Sequence, residues 1–241
     1  GGLLEYLGYR VDYLPTTSAM PSYAFSGLYA GVVTWMTSGP PQDSPAFNRW
    51  IGERLDEQVP VVFFGGLPIE DSVLLKRLGL ERDVSPGIQA LTITHQDKTL
   101  IGAFEAPVMP RSRDLTAVSV LPNGPTPVLS LTNAAGQVYT PVVVGEWGGL
   151  ALAPYILEVN NERSRWILDP FAFLQASLHL PVQPRPDTTT ENGRRIATVH
   201  IDGDGFPSRA EVRGTPYAGR HTLEDFIKPN PFLTSVSIVE G

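Results

Sequence analysis

The chain contains no cysteine. This absence excludes disulfides, thiolate metal ligands and cysteine nucleophiles, and it leaves the redox compartment undetermined. Histidine is also scarce, and its positions show no H-x-x-x-H or HExxH spacing, so the sequence predicts no local pair of histidine metal ligands. The four histidines are His95, His179, His200 and His221.

Long apolar runs and basic clusters are missing as well. No run reaches the roughly 18 residues that a membrane helix requires, so we predict no membrane span. The formal net charge is −7 and Lys and Arg are not clustered, which argues against a nucleic-acid partner.

The N-terminus lacks the charged segment of a signal peptide. Residues 1–8 instead suggest the end of a helix that leads into a strand. We therefore expect the chain to be a fragment of a longer protein, with any targeting signal upstream of it.

What is present indicates a folded globular protein. The 241 residues are 42% hydrophobic and 18% charged, which is enough to bury a sizeable core in one large domain or one and a half smaller ones. The 23 prolines are about twice an average share, so many loops are expected.

Residues 9–80 alternate between strand and helix patterns. Strands are predicted at 9–14, 29–35 and 60–64, and the apolar run at 29–35 is typical of a strand buried on both faces. Helices are predicted from Ser44, as N-cap before a first-turn proline, and at 69–78. This order predicts an α/β fold with a parallel, doubly wound sheet.

The pattern changes between residues 88 and 168, where short strand-like runs are separated by Gly, Pro and Asn. These antiparallel strands form either a β-insertion or the closing strands of the sheet. The runs are 90–94, 115–121, 127–131, 138–144, 155–159 and 165–168, and a helix is predicted after them at 171–178.

The predicted domain organisation follows from these patterns. Residues 1–180 form the α/β domain, and the proline-rich, polar residues 181–195 form a linker. Residues 196–241 contain a strand at 196–201, a helix near 222–227 and a strand at 232–239. Because such a unit is too small to close its own core, we expect it to be a piece of a larger domain.

Two glycine-rich segments are predicted to be turns. Gly65 and Gly66 follow a buried strand, where a nucleophile elbow or a phosphate loop could lie, but the elbow requires Ser or Cys and the phosphate loop requires GK[ST]. Residues 145–149 (GEWGG) offer a single carboxylate without a second polar partner, so a turn is predicted there too.

Residues 201–206 (IDGDGF) place two aspartates directly after a strand. Asp202 and Asp204 suit a divalent metal, with one as ligand and the other as base, because α/β proteins place their chemistry at the carboxyl ends of strands. The alternative is a polar turn. A calcium-binding EF-hand is excluded, because its sixth and twelfth positions would be Pro207 and Arg213.

His200 lies on the same strand as Asp202 and faces the same side by the two-residue period of a strand. It could neighbour the aspartates, or it could be a histidine whose hydrogen bonds are satisfied by the core.

The segment at 201–206, followed by 208–211 (SRAE) and 216–218 (PYA), resembles the start of the deacetylase domain of PelA-type proteins. These are periplasmic deacetylases and glycoside hydrolases of Pel exopolysaccharide biosynthesis. Residues 234–241 resemble the second barrel strand of that domain. Residues 166–173 (WILDPFAF) resemble part of the amidotransferase-like domain that precedes it in the family.

The resemblance implies a flavodoxin-like or class I amidotransferase-like domain followed by the first strands of a (β/α) deacetylase barrel. Asp202 would be the general base that activates a metal-bound water, and Asp204 would bind zinc or a similar divalent metal, although the two roles could be exchanged. The family has adjacent aspartates, whereas Gly203 separates them here, and its downstream H-x-x-x-H motif is absent. The chain would hold half a site and be inactive alone.

The same resemblance implies an N-acetylated hexosamine polymer of the biofilm matrix as substrate, other exopolysaccharide-secretion proteins as partners, and a periplasmic location. Amidotransferase activity is not expected, because Gly65 and Gly66 stand where that family carries its cysteine. Two other hypotheses remain open: a non-catalytic carbohydrate-binding or scaffold module, and an unrelated metal-dependent hydrolase.

Overall fold

The structure is a computed structural model that describes residues 1–15, 17–36, 41, 43–82, 90–113, 115–160, 163–182, 198–230 and 233–237. The chain divides into two compact units, Gly1–Arg185 and Pro186–Gly241. The division falls within the predicted linker at 181–195, of which residues 183–195 lie outside the described residues.

The helices and strands of the N-terminal unit alternate at first and then give way to strands. Helices are α1 (Gly2–Tyr6), α2 (Ser44–Asp56), α3 (Ser72–Arg77) and α4 (Pro170–Ser177); strands are β1 (Val32–Trp35), β2 (Val61–Gly65), β3 (Leu80–Arg82), β4 (Thr92–Gln96), β5 (Val118–Val120), β6 (Thr126–Thr132), β7 (Val138–Gly145), β8 (Gly148–Leu152), β9 (Leu157–Asn160) and β10 (Arg163–Trp166).

Six of these strands form one mixed sheet in the order β1-β2-β8-β7-β6-β4. β2 pairs in parallel with both β1 and β8, whereas the β8–β7, β7–β6 and β6–β4 pairs are antiparallel. The α/β class is thus confirmed, and the parallel sheet expected for it is limited to three strands. Of the predicted antiparallel strands, β4, β6 and β7 extend this sheet, whereas β5 pairs with β3 and β9 pairs with β10 in two separate two-stranded sheets.

Helices cover both faces of this sheet because successive side chains of a strand point to opposite faces. Val61 and Phe63 of β2 pack in one apolar cluster with residues of α2 and α3. Val62 and Phe64 pack in a second cluster with residues of α4. β2 is therefore buried along its length, as its continuous apolar sequence predicts.

The caps of α2 and α3 show how the sequence sets the helix ends. The Asp43 carboxylate accepts a hydrogen bond from the Ala46 N–H at 2.9 Å, so Asp43 is the N-cap. The prediction that Ser44 caps this helix is wrong by one position. α3 begins at Ser72 rather than 69, because the Asp71 carboxylate accepts hydrogen bonds from the Val73 and Leu74 N–H groups. Gly79, with φ of +69°, follows the C-cap Leu78 and ends this helix.

The strand predicted at 9–14 is absent, and those residues have no regular structure. None of these residues is buried, and the side chain of Tyr13 is 74% exposed. β1 is consequently an edge strand in the described part of the sheet, with Val33 and Trp35 exposed. The prediction of a strand buried on both faces at 29–35 is wrong.

The central strand β8 was not predicted, because Gly148 and Gly149 suggest a turn rather than a strand. Both glycines are required by close packing. A Cβ at Gly148 would lie 1.9 Å from the Val61 carbonyl oxygen, and a Cβ at Gly149 would lie 2.2 Å from Ser177 Oγ in α4. The turn itself is confirmed at Glu146 and Trp147, which connect β7 to β8.

The C-terminal unit contains β11 (Thr198–Ile201) and β12 (Leu233–Val236), which pair in parallel. Between them lie a 3-10 turn (Gly203–Gly205), the short helix α5 (Ala218–His221) and a π-helical segment (Thr222–Ile227) that continues from it. The two predicted strands are present, although the second ends at Val236 and not at 239; positions 196–197, 232 and 238–239 lie outside the described residues.

Candidate functional site

Asp202 and Asp204 lie on the loop that leaves β11, at the carboxyl end of the parallel pair. Ile201 is opposite Val236 in the register, so Asp202 and Ser237 are the next residues beyond the two strand ends. Both carboxylates are exposed to solvent, whereas Gly203 between them is buried. The loop therefore presents two acidic side chains outward from a buried backbone.

The Asp202 carboxylate is held by a single side chain of β12's C-terminal end. The Ser237 hydroxyl donates to Asp202 Oδ1 at 3.0 Å, and the Gly203 N–H donates to Ser237 Oγ at 2.9 Å. Asp202 makes no capping hydrogen bond to the 3-10 turn that follows it.

Asp204 differs from Asp202 in having no partner. Within the described residues its carboxylate has neither a hydrogen bond nor an ion pair, and it lies in the exposed 3-10 turn. It is thus the carboxylate of this loop that is free to bind an added cation.

Gly203 separates the two aspartates for a steric reason. A Cβ at this position would lie 2.1 Å from the Ser237 carbonyl oxygen, far inside the normal contact distance. The loop therefore approaches β12 too closely for any side chain. This contact accounts for the glycine between the two aspartates.

His200 forms its own pair, one step back along the same two strands. Its Nδ1 lies 2.9 Å from Ser235 Oγ, and Ser235 is its partner in the register. The His200–Ser235 and Asp202–Ser237 pairs lie on the same side of the strands, by the period of two. The sequence did not lead us to predict either serine. Ser235 and Ser237 are two residues apart, as His200 and Asp202 are, and this matching spacing on two predicted strands was a usable signal.

Among the described residues, Asp202 and Asp204 do not form a complete metal site. The part of the chain that the structure describes contains no group of three or more His, Asp and Glu side chains that could hold an ion. Oxygen ligands from Asp202 and Asp204 fit a hard or borderline divalent cation, but two carboxylates do not complete a coordination sphere. The divalent metal remains a prediction.

The segment at the end of β2, the second predicted feature, has no room for a side chain at Gly65. Gly65 has φ of +86°, and a Cβ there would lie 2.3 Å from the Met36 carbonyl oxygen. The Gly65 carbonyl in turn accepts the Ala153 N–H at 2.8 Å. The predicted turn is a bend at Gly66, since Gly65 is the last residue of β2, and no nucleophilic side chain could stand at Gly65 without displacing Met36.

The titratable groups whose pKa values are shifted lie in the N-terminal unit, and hydrogen bonds with neighbouring residues cause the shifts described next. Hydrogen bonds with Tyr23 and Asp12 raise the pKa of Tyr29 to about 12. Hydrogen bonds from the hydroxyl and N–H of Thr99 lower the pKa of Asp97. These local contacts explain the shifts without an active site, although such shifts often mark one.

Comparison with known proteins finds no matching family model, no matching curated protein and no matching solved structure. None of the helices in the described ranges has the length and apolar character needed to cross a membrane.

Proposed function

We propose that this chain is part of a metal-dependent exopolysaccharide deacetylase that acts on an N-acetylated hexosamine polymer of the biofilm matrix. Residues 196–241 would be the first segment of its (β/α) barrel. The observation that carries the proposal is the position of Asp202 and Asp204, directly after β11 at the carboxyl end of a parallel strand pair. In (β/α) barrels the catalytic residues come from this end of the strands.

The two carboxylates suit different roles in amide hydrolysis. The reaction needs a Lewis acid to polarise the acetyl carbonyl and a base to take a proton from water. Asp204 has no protein partner in the described residues and is assigned as the metal ligand. Asp202 is hydrogen-bonded through one carboxylate oxygen and is assigned as the base.

The N-terminal unit is proposed to be a non-catalytic domain of the flavodoxin or class I amidotransferase type. Its parallel β1-β2-β8 strands and the helices on both faces of the sheet support this assignment. The closed turn at Gly65 supports the absence of amidotransferase activity. The periplasmic location and the secretion partners rest on the sequence resemblance alone.

Binding of Mn²⁺ by the 241-residue chain tests the site directly, since a paramagnetic ion broadens the NMR signals of nearby amides. We expect weak binding that broadens residues 202–205 selectively. Asp204→Ala should abolish this broadening, and Asp202→Ala should leave it largely intact. Asp225→Asn, which changes an exposed carboxylate elsewhere in the same unit, is the matched control and should have no effect.

Activity is tested by acetate release from acetylated hexosamine oligomers. The chain alone should show no detectable turnover, because it supplies only part of the ligand set. In a longer protein that completes the barrel, Asp202→Ala should lose about 10²–10⁴-fold, the usual contribution of acid–base catalysis, and Asp204→Ala should lose activity together with the bound metal. Near-normal activity in both variants would reduce the loop to a structural turn, and strong metal-dependent release by the chain alone would contradict the half-site.

A non-catalytic carbohydrate-binding or scaffold module is the second candidate. It is favoured by the closed turn at Gly65 and by an exposed indole, since Trp35 is 47% exposed and stacks on Phe64. An indole face of this kind can pack against the apolar face of a sugar ring. Saturable quenching of tryptophan fluorescence by acetylated hexosamine oligomers, lost in Trp35→Ala, would support this candidate over the deacetylase.

A further inference from the structure

Ser237 contacts three consecutive residues at the point where β11 becomes the aspartate loop. Its N–H donates to the Ile201 carbonyl at 3.1 Å, its hydroxyl donates to Asp202 Oδ1 at 3.0 Å, and its Oγ accepts the Gly203 N–H at 2.9 Å. No other described side chain is hydrogen-bonded to Asp202. We propose that Ser237 is a positioning residue that sets the orientation of the Asp202 carboxylate.

The direction of these hydrogen bonds is fixed by the chemistry of the three groups. An amide N–H can only donate, and an ionised carboxylate can only accept. The single proton of the Ser237 hydroxyl must therefore point to Asp202 while a lone pair of Oγ accepts the Gly203 N–H. The result is an ordered chain, Gly203 N–H to Ser237 O–H to Asp202 Oδ1, which strand pairing anchors to β12.

Close packing holds this chain in place. The missing side chain at Gly203 lets the loop backbone approach the Ser237 carbonyl, where a Cβ would lie at 2.1 Å. Gly203 is buried, so water competes poorly for its N–H. The serine hydroxyl thus has one arrangement that satisfies all three groups.

The functional consequence rests on the proposed deacetylase activity. With Oδ1 occupied by Ser237, Oδ2 remains to take a proton from the attacking water as the new C–O bond forms. Collapse of the adduct then breaks the C–N bond while Asp202 returns this proton to the leaving nitrogen, so that acetate and the amine are released. A misoriented base slows this step without weakening substrate binding, because orientation of the reacting groups is what is lost.

Two variants and one matched control test the positioning in the 241-residue chain. Ser237→Ala removes the hydroxyl, and Ser237→Thr retains it. Ser235→Ala removes the equivalent hydroxyl one pair back, which contacts His200 and not Asp202. The readouts are the Hα–Hβ couplings of Asp202, which report its χ1 rotamer, and the amide exchange rate of Gly203.

We expect one dominant Asp202 rotamer in the unaltered chain and in Ser237→Thr and Ser235→Ala. In Ser237→Ala the couplings should average among rotamers, and Gly203 exchange should accelerate about five- to tenfold, as loss of a single hydrogen bond implies. Unchanged couplings and exchange in Ser237→Ala would overturn the proposal, as would averaged couplings in the unaltered chain.

A kinetic measurement separates this proposal from the proposed function. In a longer protein that deacetylates, Ser237→Ala should lower kcat about tenfold at unchanged KM, and Ser237→Thr should restore it. If no deacetylation is found but the rotamer result holds, the proposed function fails and the positioning of Asp202 stands. If deacetylation is found and Ser237→Ala leaves kcat unchanged, the positioning role in catalysis is wrong.

Discussion

Tyr155 is completely buried, and its hydroxyl both donates to the Arg111 carbonyl at 2.8 Å and accepts the Arg111 N–H at 3.0 Å. One side chain thus satisfies both backbone groups of a residue that lies outside any helix or strand. The cost of losing such a partner is set by the polar groups that remain buried without one.

Tyr155→Phe should therefore destabilise the chain by about 1–3 kcal/mol, because the ring still fills its space while the Arg111 N–H and carbonyl lose their partner. Urea unfolding followed by circular dichroism measures the change. Tyr139→Phe is a suitable control, since the Tyr139 hydroxyl pairs with polar side chains rather than with backbone groups. Equal losses in the two variants would contradict the argument.

Alkaline pH provides a second prediction at Tyr155, whose pKa is raised by burial. The folded state therefore keeps this proton at a pH where the unfolded tyrosine, with a pKa of about 10, has lost it. The contribution of Tyr155 to stability is complete below about pH 10 and is lost as the pH rises through the folded pKa. The stability of the unaltered chain should fall more steeply above pH 10 than that of Tyr155→Phe. The Tyr29 contribution is common to both and cancels in the comparison.

At the scale of elements, the end of β2 depends on the absence of a side chain at Gly65. Two costs would accompany Gly65→Ala: a left-handed backbone at φ of +86°, and a Cβ 2.3 Å from the Met36 carbonyl oxygen. A substitution at Gly136 would carry only the first cost. Gly136 has φ of +81°, but no atom lies within 4 Å of a Cβ added there.

Gly136→Ala should cost roughly 1–2 kcal/mol, the price of the left-handed conformation alone. Gly65→Ala should cost about 1–3 kcal/mol more, because Met36 must move to admit the methyl group. Thermal or urea unfolding of the two variants measures the difference. If both lose the same stability, the strand end has room for a side chain and the turn is less closed than its contacts indicate.

Elements with a complete local signal were predictable from the sequence. The apolar period and first-turn proline located α2, and the continuous apolar run located β2 in the sheet interior. β8 was missed because its first two residues are glycines chosen by contacts with β2 and α4, which are distant in sequence. The strand predicted at 9–14 is wrong for the opposite reason, since none of the described strands pairs with these residues.

The same division between local and distant signals applies to the candidate site. An Asp-Gly-Asp-Gly sequence after an apolar run was enough to place Asp202 and Asp204 on the loop after a strand. The partner of Asp202 was not predictable in this way, because Ser237 lies 35 residues away and meets it only through the register of β11 with β12.

At the scale of the whole molecule, the apolar core is distributed unequally between the two units. Both buried apolar clusters consist of residues of the N-terminal unit, on either face of its six-stranded sheet. In the described part of the C-terminal unit, Gly203 is the only residue that is buried. Because burial of apolar surface is the dominant favourable term in folding, the two units should differ in local stability.

Hydrogen exchange on the 241-residue chain tests this difference. Amides in β2, β7 and β8 should exchange only through unfolding of the whole N-terminal unit, whereas amides in β11 should open locally, because a two-stranded sheet without a core is marginally stable. We expect protection factors in β2 to exceed those in β11 by at least about a thousandfold. A chain ending at Arg185 should retain the protection of β2, since both clusters that bury it are intact. Comparable protection in β11 and β2, or loss of β2 protection in the shortened chain, would show that the C-terminal unit shares the core of the N-terminal one.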